Sequence, residues 1–217
     1  MGTDIHIYTE AFAAGRWTSA DQWIEEDGHL ENKPIYDSRN YCLFTVLAGV
    51  RGVEGIEPIA EPRGMPEDAD PLVAASYPEH SESWLTLKEI LDYNWTQLVT
   101  RKGVVTAGQY ASWSRYGKQE GEPPYSYCGS VWGKDVQIID SNDLDAKLAE
   151  IWDGLTDKTK YYEAIETMLP STYCHVEWKQ MICQCCGEFW SKAMPQLLEI
   201  AKSFSNETVR IVFWFDS

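Results

Sequence analysis

Met1-Gly2-Thr3-Asp4-Ile5-His6-Ile7-Tyr8-Thr9-Glu10 opens the chain, and Val209-Arg210-Ile211-Val212-Phe213-Trp214-Phe215-Asp216 closes it. Strand side chains alternate between faces. The opening stretch therefore sets Ile5, Ile7 and Thr9 on one side and Asp4, His6, Tyr8 and Glu10 on the other. That pattern suits an edge strand at the surface, and equally a buried strand whose polar face lines a pocket. The closing run is apolar on both faces and reads as a central strand, a natural neighbour for the first. Together they predict a single α+β domain over residues 1–217. Its centre is a mixed β-sheet containing the N- and C-terminal strands, with helices packed on it and a long Pro/Gly-rich loop.

Outward from the first strand, Arg16 to Glu26 reads as a second strand with Trp17 and Trp23 on one face, and Asp27-Gly28 as a hairpin turn. Tyr41 to Ala48 is predicted as a helix stopped by Gly49, with Asp37 or Ser38 as its cap. Arg51 to Pro78 holds Gly at 52, 55 and 64 and Pro at 58, 62, 66, 71 and 78, so it reads as a long ordered loop with a short helical turn at 71–75. Thr86 and Glu89 form a capping box for a helix reaching Tyr93 or Asn94. Leu98-Val99 and Val104-Val105 are too short to assign. Residues 117–133 are loop, and Val131 to Asp140 is a candidate strand. Helices are expected over Asp143–Leu155 and Tyr161–Leu169, an extended segment over Thr172–Trp178, and a long helix over Lys179–Phe204 that Pro195 kinks or splits.

Composition narrows the function. A net charge of −16 with pI near 4.6 repels phosphate backbones and anionic membranes, which argues against direct nucleic-acid or membrane binding. Such a surface suits a basic host protein. Hydrophobic residues make up 44% of the chain, enough for a substantial core. Ten Trp and twelve Tyr serve that core, and also suit interfaces and base-stacking pockets. No apolar leader or membrane-length span is evident, so the expected location is the reducing cytoplasm of a host cell with free thiols.

Three groups of residues carry candidate chemistry. Asp4 and His6, joined by His80, form a candidate acid–base set and a candidate ligand set for a divalent metal, with Glu10 and Asp216 in reach if the terminal strands pair. The competing reading is that Asp4 merely orients His6. Arg39, Arg51 and Arg63 are candidate phosphate clamps, helped by Ser83 and by free amides at the helix start that follows it. Each arginine could equally tie a loop to a carboxylate. Cys174-His175 and Cys183-x-Cys185-Cys186 suggest zinc, but no second Cys-x-x-Cys pair accompanies them, and core packing is the favoured reading. Walker, Rossmann, Gly-x-Ser-x-Gly and His-Glu-x-x-His patterns are absent.

The opening Met-Gly-x-Asp-Ile-His resembles a group of uncharacterised bacteriophage and prophage proteins with that signature. The likeness continues at Arg39-Asn40-Tyr41-x-Leu43-Phe44, Leu47-Ala48-Gly49-Val50-Arg51, Arg63-Gly64-x-Pro66, His80-Ser81-x-Ser83-Trp84-Leu85 and Phe213-Trp214-Phe215-Asp216. It covers both ends and roughly the first 90 residues; residues 100–170 carry no recognised motif. The resemblance implies a phage context and one site shared by Asp4, His6, Arg39, Arg63, His80, Ser83 and Asp216. The expected function is a phage accessory, anti-defence protein whose Asp/His/Arg pocket binds or hydrolyses a phosphate-bearing, nucleotide-like ligand. The alternative is a non-enzymatic acidic inhibitor that binds a basic host nuclease or CRISPR effector by charge mimicry.

Overall fold

A computed structural model describes residues 2–26, 28–76, 78–118, 122–153 and 155–216, with the Tyr116 side chain excepted. The chain folds as two compact units, Met1–Gln97 with Met181–Ser217, and Leu98–Gln180. Among the described residues no helix is long and apolar enough to cross a membrane.

The first unit is built on the two terminal runs. Strands β1 (Asp4–Ala13), β2 (Arg16–Ser19), β5 (His80–Thr86) and β9 (Val209–Asp216) form a sheet of order β2-β1-β9-β5. Its strand pairings are antiparallel, with Asp4 opposite Asp216, His6 opposite Trp214 and Glu10 opposite Arg210. The expected run Arg16–Glu26 is divided. Its first part pairs with β1, and Gln22–Glu26 (β3) leaves to make a separate hairpin with His29–Lys33 (β4). Gly28 supplies the positive φ of 80° that this turn needs; Asp27 lies outside the described residues.

Where β2 ends, the open edge of β1 is closed by side chains. Asp21 Oδ2 accepts the Thr9 N–H at 2.9 Å, and Asn32 Nδ2 donates to the Ile7 carbonyl at 3.3 Å. Exposed strand edges carry unpaired backbone groups that invite foreign strands, and these two side chains occupy them.

One sheet face, bearing Ile5, Ile7, Leu85, Ile211, Phe213 and Phe215, is buried. Helix α1 (Tyr41–Ala48) packs there, its Phe44 ring 5.0 Å from Phe215. Its N-cap is Asn40 rather than Asp37 or Ser38. The Asn40 side-chain oxygen Oδ1 accepts the Leu43 N–H, and its Nδ2 donates to the Cys185 carbonyl at 2.8 Å. One residue thus satisfies the helix start and fastens it to a distant segment. Gly49 ends the helix at φ 70°. The loop that follows contains the short α2 (Pro71–Ala74), and the Thr86–Glu89 capping box starts α3 (Leu87–Asp92).

The expected long helix over Lys179–Phe204 is three pieces. Strand character persists to Met181, then come α7 (Ile182–Cys185), a π-helical turn (Phe189–Ala193) and α8 (Met194–Ala201). The break precedes Pro195, which sits in the first turn of α8 where an amide donor is not required.

The second unit has its own core. Strands β6 (Leu98–Thr106), β7 (Gln137–Ile139) and β8 (Thr172–Met181) form a sheet of order β6-β8-β7, in which β7 and β8 are parallel. Helices α4 (Ala107–Tyr116), α5 (Ser141–Trp152) and α6 (Lys158–Met168) accompany it. Val105, Tyr110, Trp113, Leu144, Ile165, Cys174 and Trp178 form the buried cluster. The sequence reading missed α4. Its start is a capping box of Thr106 and Gln109, the same device that marks α3.

Candidate functional site

The second face of the first sheet carries the polar alternation of β1. Asp4, His6, Tyr8 and Glu10 lie beside Asp216, Trp214, Val212 and Arg210 of β9, and this row has two ends of different character.

At the open end, His6 Nε2 lies 3.1 Å from Asp216 Oδ2, and Asp216 Oδ1 accepts the Asp4 N–H at 3.1 Å. Asp4 in turn holds Arg39 through two parallel hydrogen bonds of 2.8 and 2.7 Å. The His6 ring stacks on Trp214 at 5.7 Å, and Trp214 on Tyr8 at 4.8 Å. Beside them is a cleft of about 340 Å³ lined by His6, Tyr8, Ser76, Glu79, Trp214 and Asp216. Ser76 closes one wall by donating to the Tyr8 hydroxyl at 3.2 Å. Both pairs are half exposed, with side-chain exposures of 45% and 35% for His6 and Asp216. The His6 contact holds the Asp216 carboxyl below the usual carboxylate range against the opposing effects of burial and Asp4. The Arg39 hydrogen bonds do the same for Asp4.

Gly2 is the residue that sequence reasoning missed here. A Cβ built on it would fall 2.0 Å from Arg39 Nη1. A side chain at position 2 would therefore displace the guanidinium, the far end of a flexible side chain, and only the folded position of Arg39 reveals this close approach.

At the closed end, Glu10 and Arg210 are buried together. Arg210 Nε donates to Glu10 Oε2 at 2.6 Å and Nη1 to Asp68 at 2.9 Å, while Glu10 Oε1 accepts the Asp70 N–H at 2.6 Å. The guanidinium lies 4.0 Å over the Trp17 ring. This cluster ties the 61–70 loop to the sheet.

The expected site assembles only in part. Asp4, His6, Arg39 and Asp216 come together. His80 does not join them. A bulge between His80 and Ser83, with Ser81 at φ 55°, inserts a residue into the alternation. His80 thereby pairs with Phe215 and stacks on its ring at 6.0 Å, on the apolar face opposite His6. Among the described residues no three His, Cys, Asp or Glu side chains gather into a cluster that could hold a metal ion. His80 and Ser83 lie in the strand that leads directly into α3, whose start is capped by Thr86.

The other two arginines have partners within the protein. Arg63 makes two hydrogen bonds to Glu89, one of them 2.6 Å, lies 4.9 Å over Trp84, and donates its backbone N–H to the buried Ser83 hydroxyl. Burial alone would raise Glu89, but Arg63 and Thr86 outweigh it and hold the carboxyl near 2. Arg51 donates to Thr3 and lies 5.4 Å over Tyr41. Both arginines are engaged within the protein, Arg63 by Glu89 and Arg51 by Thr3, the neighbour in sequence of the Asp4 that holds Arg39.

Cys174 and Cys186 are buried as the core reading expects, but Cys183 and Cys185 are only half buried; elsewhere Cys42 is buried and Cys128 exposed. No family model matches the chain, and neither a curated protein nor a solved structure matches it.

Proposed function

We propose that the cleft at the Asp216 end of the sheet binds a small, phosphate-bearing, nucleotide-like molecule. The observation that carries this reading is the His6–Asp216 pair on the rim of a cleft of about 340 Å³ walled by Tyr8 and Trp214. Trp214 is 3% exposed and already stacked by His6 and Tyr8, so Tyr8 is the ring that would meet a base, a contact of about 1–3 kcal/mol. Glu79 and Asp216 are acceptors, so the ligand brings donors, such as the exocyclic amino group of a base, to that wall. Arg39 is the guanidinium a phosphate would reach, in exchange with Asp4. For hydrolysis, His6 held by Asp216 would take a proton from the attacking water. The resemblance to phage proteins makes a host-defence nucleotide signal the natural ligand class, by association alone.

The test is calorimetry and thermal unfolding of the intact protein with nucleoside mono- and diphosphates. A ligand at a hundred times its Kd stabilises the fold by about 2.7 kcal/mol. That gain should vanish in His6→Ala and in Asp216→Asn. Unliganded stability should change by about 1 kcal/mol or less, because exposed ion pairs contribute little. No binding by any nucleotide would reject the reading.

A second reading, inhibition of a basic host protein, draws on charge distribution. Met1–Gln97 with Met181–Ser217 holds 22 of the 34 acidic residues but 9 of the 18 basic ones, leaving 12 and 9 for Leu98–Gln180. Glu25, Glu26 and Glu31 stand exposed on the β3–β4 hairpin. Partner binding of this kind weakens with salt and is insensitive to His6→Ala.

A further inference from the structure

The segment Met181–Ala193 contains a second set of features outside the His6 cleft. Ile182–Cys185 is a single helical turn, closed by the Cys186 N–H bonding to the Ile182 carbonyl at 2.9 Å. Its start is pinned by the Cys183 N–H to the Trp95 carbonyl at 3.0 Å, and by the Gln184 side chain accepting the Met181 N–H at 3.0 Å. Within this turn Cys183 is half buried and Cys186 fully buried. Cys183 lines a cleft of about 550 Å³ with Gln184, Gly187, Glu188, Trp190 and Ser191. Trp190 is 38% exposed and lies 5.0 Å from the Trp95 ring.

We propose that Cys183 and Cys186 are a redox-active dithiol that exchanges with small-molecule disulfides bound in this cleft. Residues three apart on a helical turn share a face, with Cβ atoms about 5–6 Å apart. A disulfide needs about 3.5–4.5 Å between Cβ atoms, so closure asks for a shift on the order of 1–2 Å. The chain can yield there. Gly187 follows at φ 46° with nothing within 4 Å of the position its Cβ would occupy, and the backbone then passes into the π-helical turn Phe189–Ala193 before α8. Cys185 is two residues from Cys183 and points to a different side of the turn, so it is not the partner.

The Cys183 thiolate attacks one sulfur of the bound disulfide. This breaks the S–S bond, releases one thiol and leaves Cys183 in a mixed disulfide. The Cys186 thiolate then attacks the Cys183 sulfur and expels the second thiol. Two cysteine thiols are oxidised, one disulfide is reduced to two thiols, and the two cysteine protons leave on the products. An accessible attacking thiol beside a substrate-sized apolar cleft, with the resolving thiol buried behind it, is the arrangement this sequence of steps requires.

The experiment equilibrates the intact protein with graded ratios of reduced to oxidised glutathione, quenches with acid, alkylates under denaturing conditions and maps the adducts by tandem mass spectrometry. The expected oxidised species lacks two hydrogens, with Cys183 and Cys186 protected and Cys185 and Cys128 alkylated. Tryptophan emission should change with the same midpoint, reporting Trp190 and Trp95. Cys183→Ser, a change at a half-buried position, should abolish the bridge. A stable glutathione adduct on Cys183 with Cys186 still alkylated would overturn the proposal, as would a bridge through Cys185. The wild-type map decides the matter even if the variant folds poorly.

Discussion

Replacing Arg210 by Met should be among the most damaging single changes on the polar face of the first sheet. Arg210 and Glu10 have side-chain exposures of 3% and 0% and meet at 2.6 Å. In Arg210→Met the Glu10 carboxylate stays buried, keeping the Asp70 N–H but losing its counter-ion. Breaking a buried pair in this way costs about 3–5 kcal/mol, a large share of the roughly 5–15 kcal/mol that holds a domain folded. Glu10→Gln should cost less, about 1–3 kcal/mol, because the guanidinium keeps Asp68, whose side chain is 64% exposed, and the Trp17 ring. The double variant Glu10→Gln/Arg210→Met removes both charges and should be more stable than the sum of the single losses predicts, by about 0.5–3 kcal/mol. Urea unfolding followed by tryptophan emission measures all three, since Trp17 lies against Arg210. A cost below about 1 kcal/mol for Arg210→Met, or strict additivity in the cycle, would refute the claim that this pair is electrostatically isolated from water.

Two further outcomes follow from single contacts. Burial, opposed by hydrogen bonds from Thr9 and Asn32, raises the Asp21 carboxyl from 3.8 to about 6. Its proton is therefore held more tightly folded than unfolded, and stability falls as pH rises from about 4 through 6. Asp21→Asn, whose carbonyl can still accept the Thr9 N–H, should be more stable than the parent at pH 7, with the advantage fading towards pH 4; equal pH profiles in urea melts would contradict this. Gly2→Ala should push Arg39 off Asp4 while leaving the fold within about 1 kcal/mol of the parent, since the displaced pair is half exposed. Under the proposed function it weakens nucleotide binding without touching a cleft-lining residue, and calorimetry showing unchanged affinity would detach Arg39 from that site.

Some local patterns were legible from short-range rules, although the Thr106–Gln109 capping box that starts α4 was not read. Tyr41–Ala48 with its Gly49 stop and the Thr86–Glu89 capping box follow from periodicity and end chemistry alone. Asn40 was not read as the cap although its bond to the Leu43 N–H is local; only its second bond, to the Cys185 carbonyl 145 residues away, needed the tertiary structure. Strand β6 was hidden because its apolar pairs, Leu98-Val99 and Val104-Val105, are separated by polar residues, and pairing with β8 is what makes the interval extended.

The alternation of residues 4–10 by itself determined which side chains share a face of the first strand, because strand side chains alternate; that this strand pairs with the apolar closing run was an expectation the tertiary structure met. The antiparallel register, with Asp4 opposite Asp216, is what brought Asp216 to the face of Asp4 and His6. Where His80, Arg51 and Arg63 would go was decided by the tertiary structure. The bulge at Ser81 reverses the face on which His80 stands, and Glu89 and Thr3 provide the arginines with nearer partners than any ligand in the cleft. A bulge shifts the parity of every residue beyond it, and an ion pair forms with whichever charge folding brings close. Neither quantity is written in the spacing of one chain.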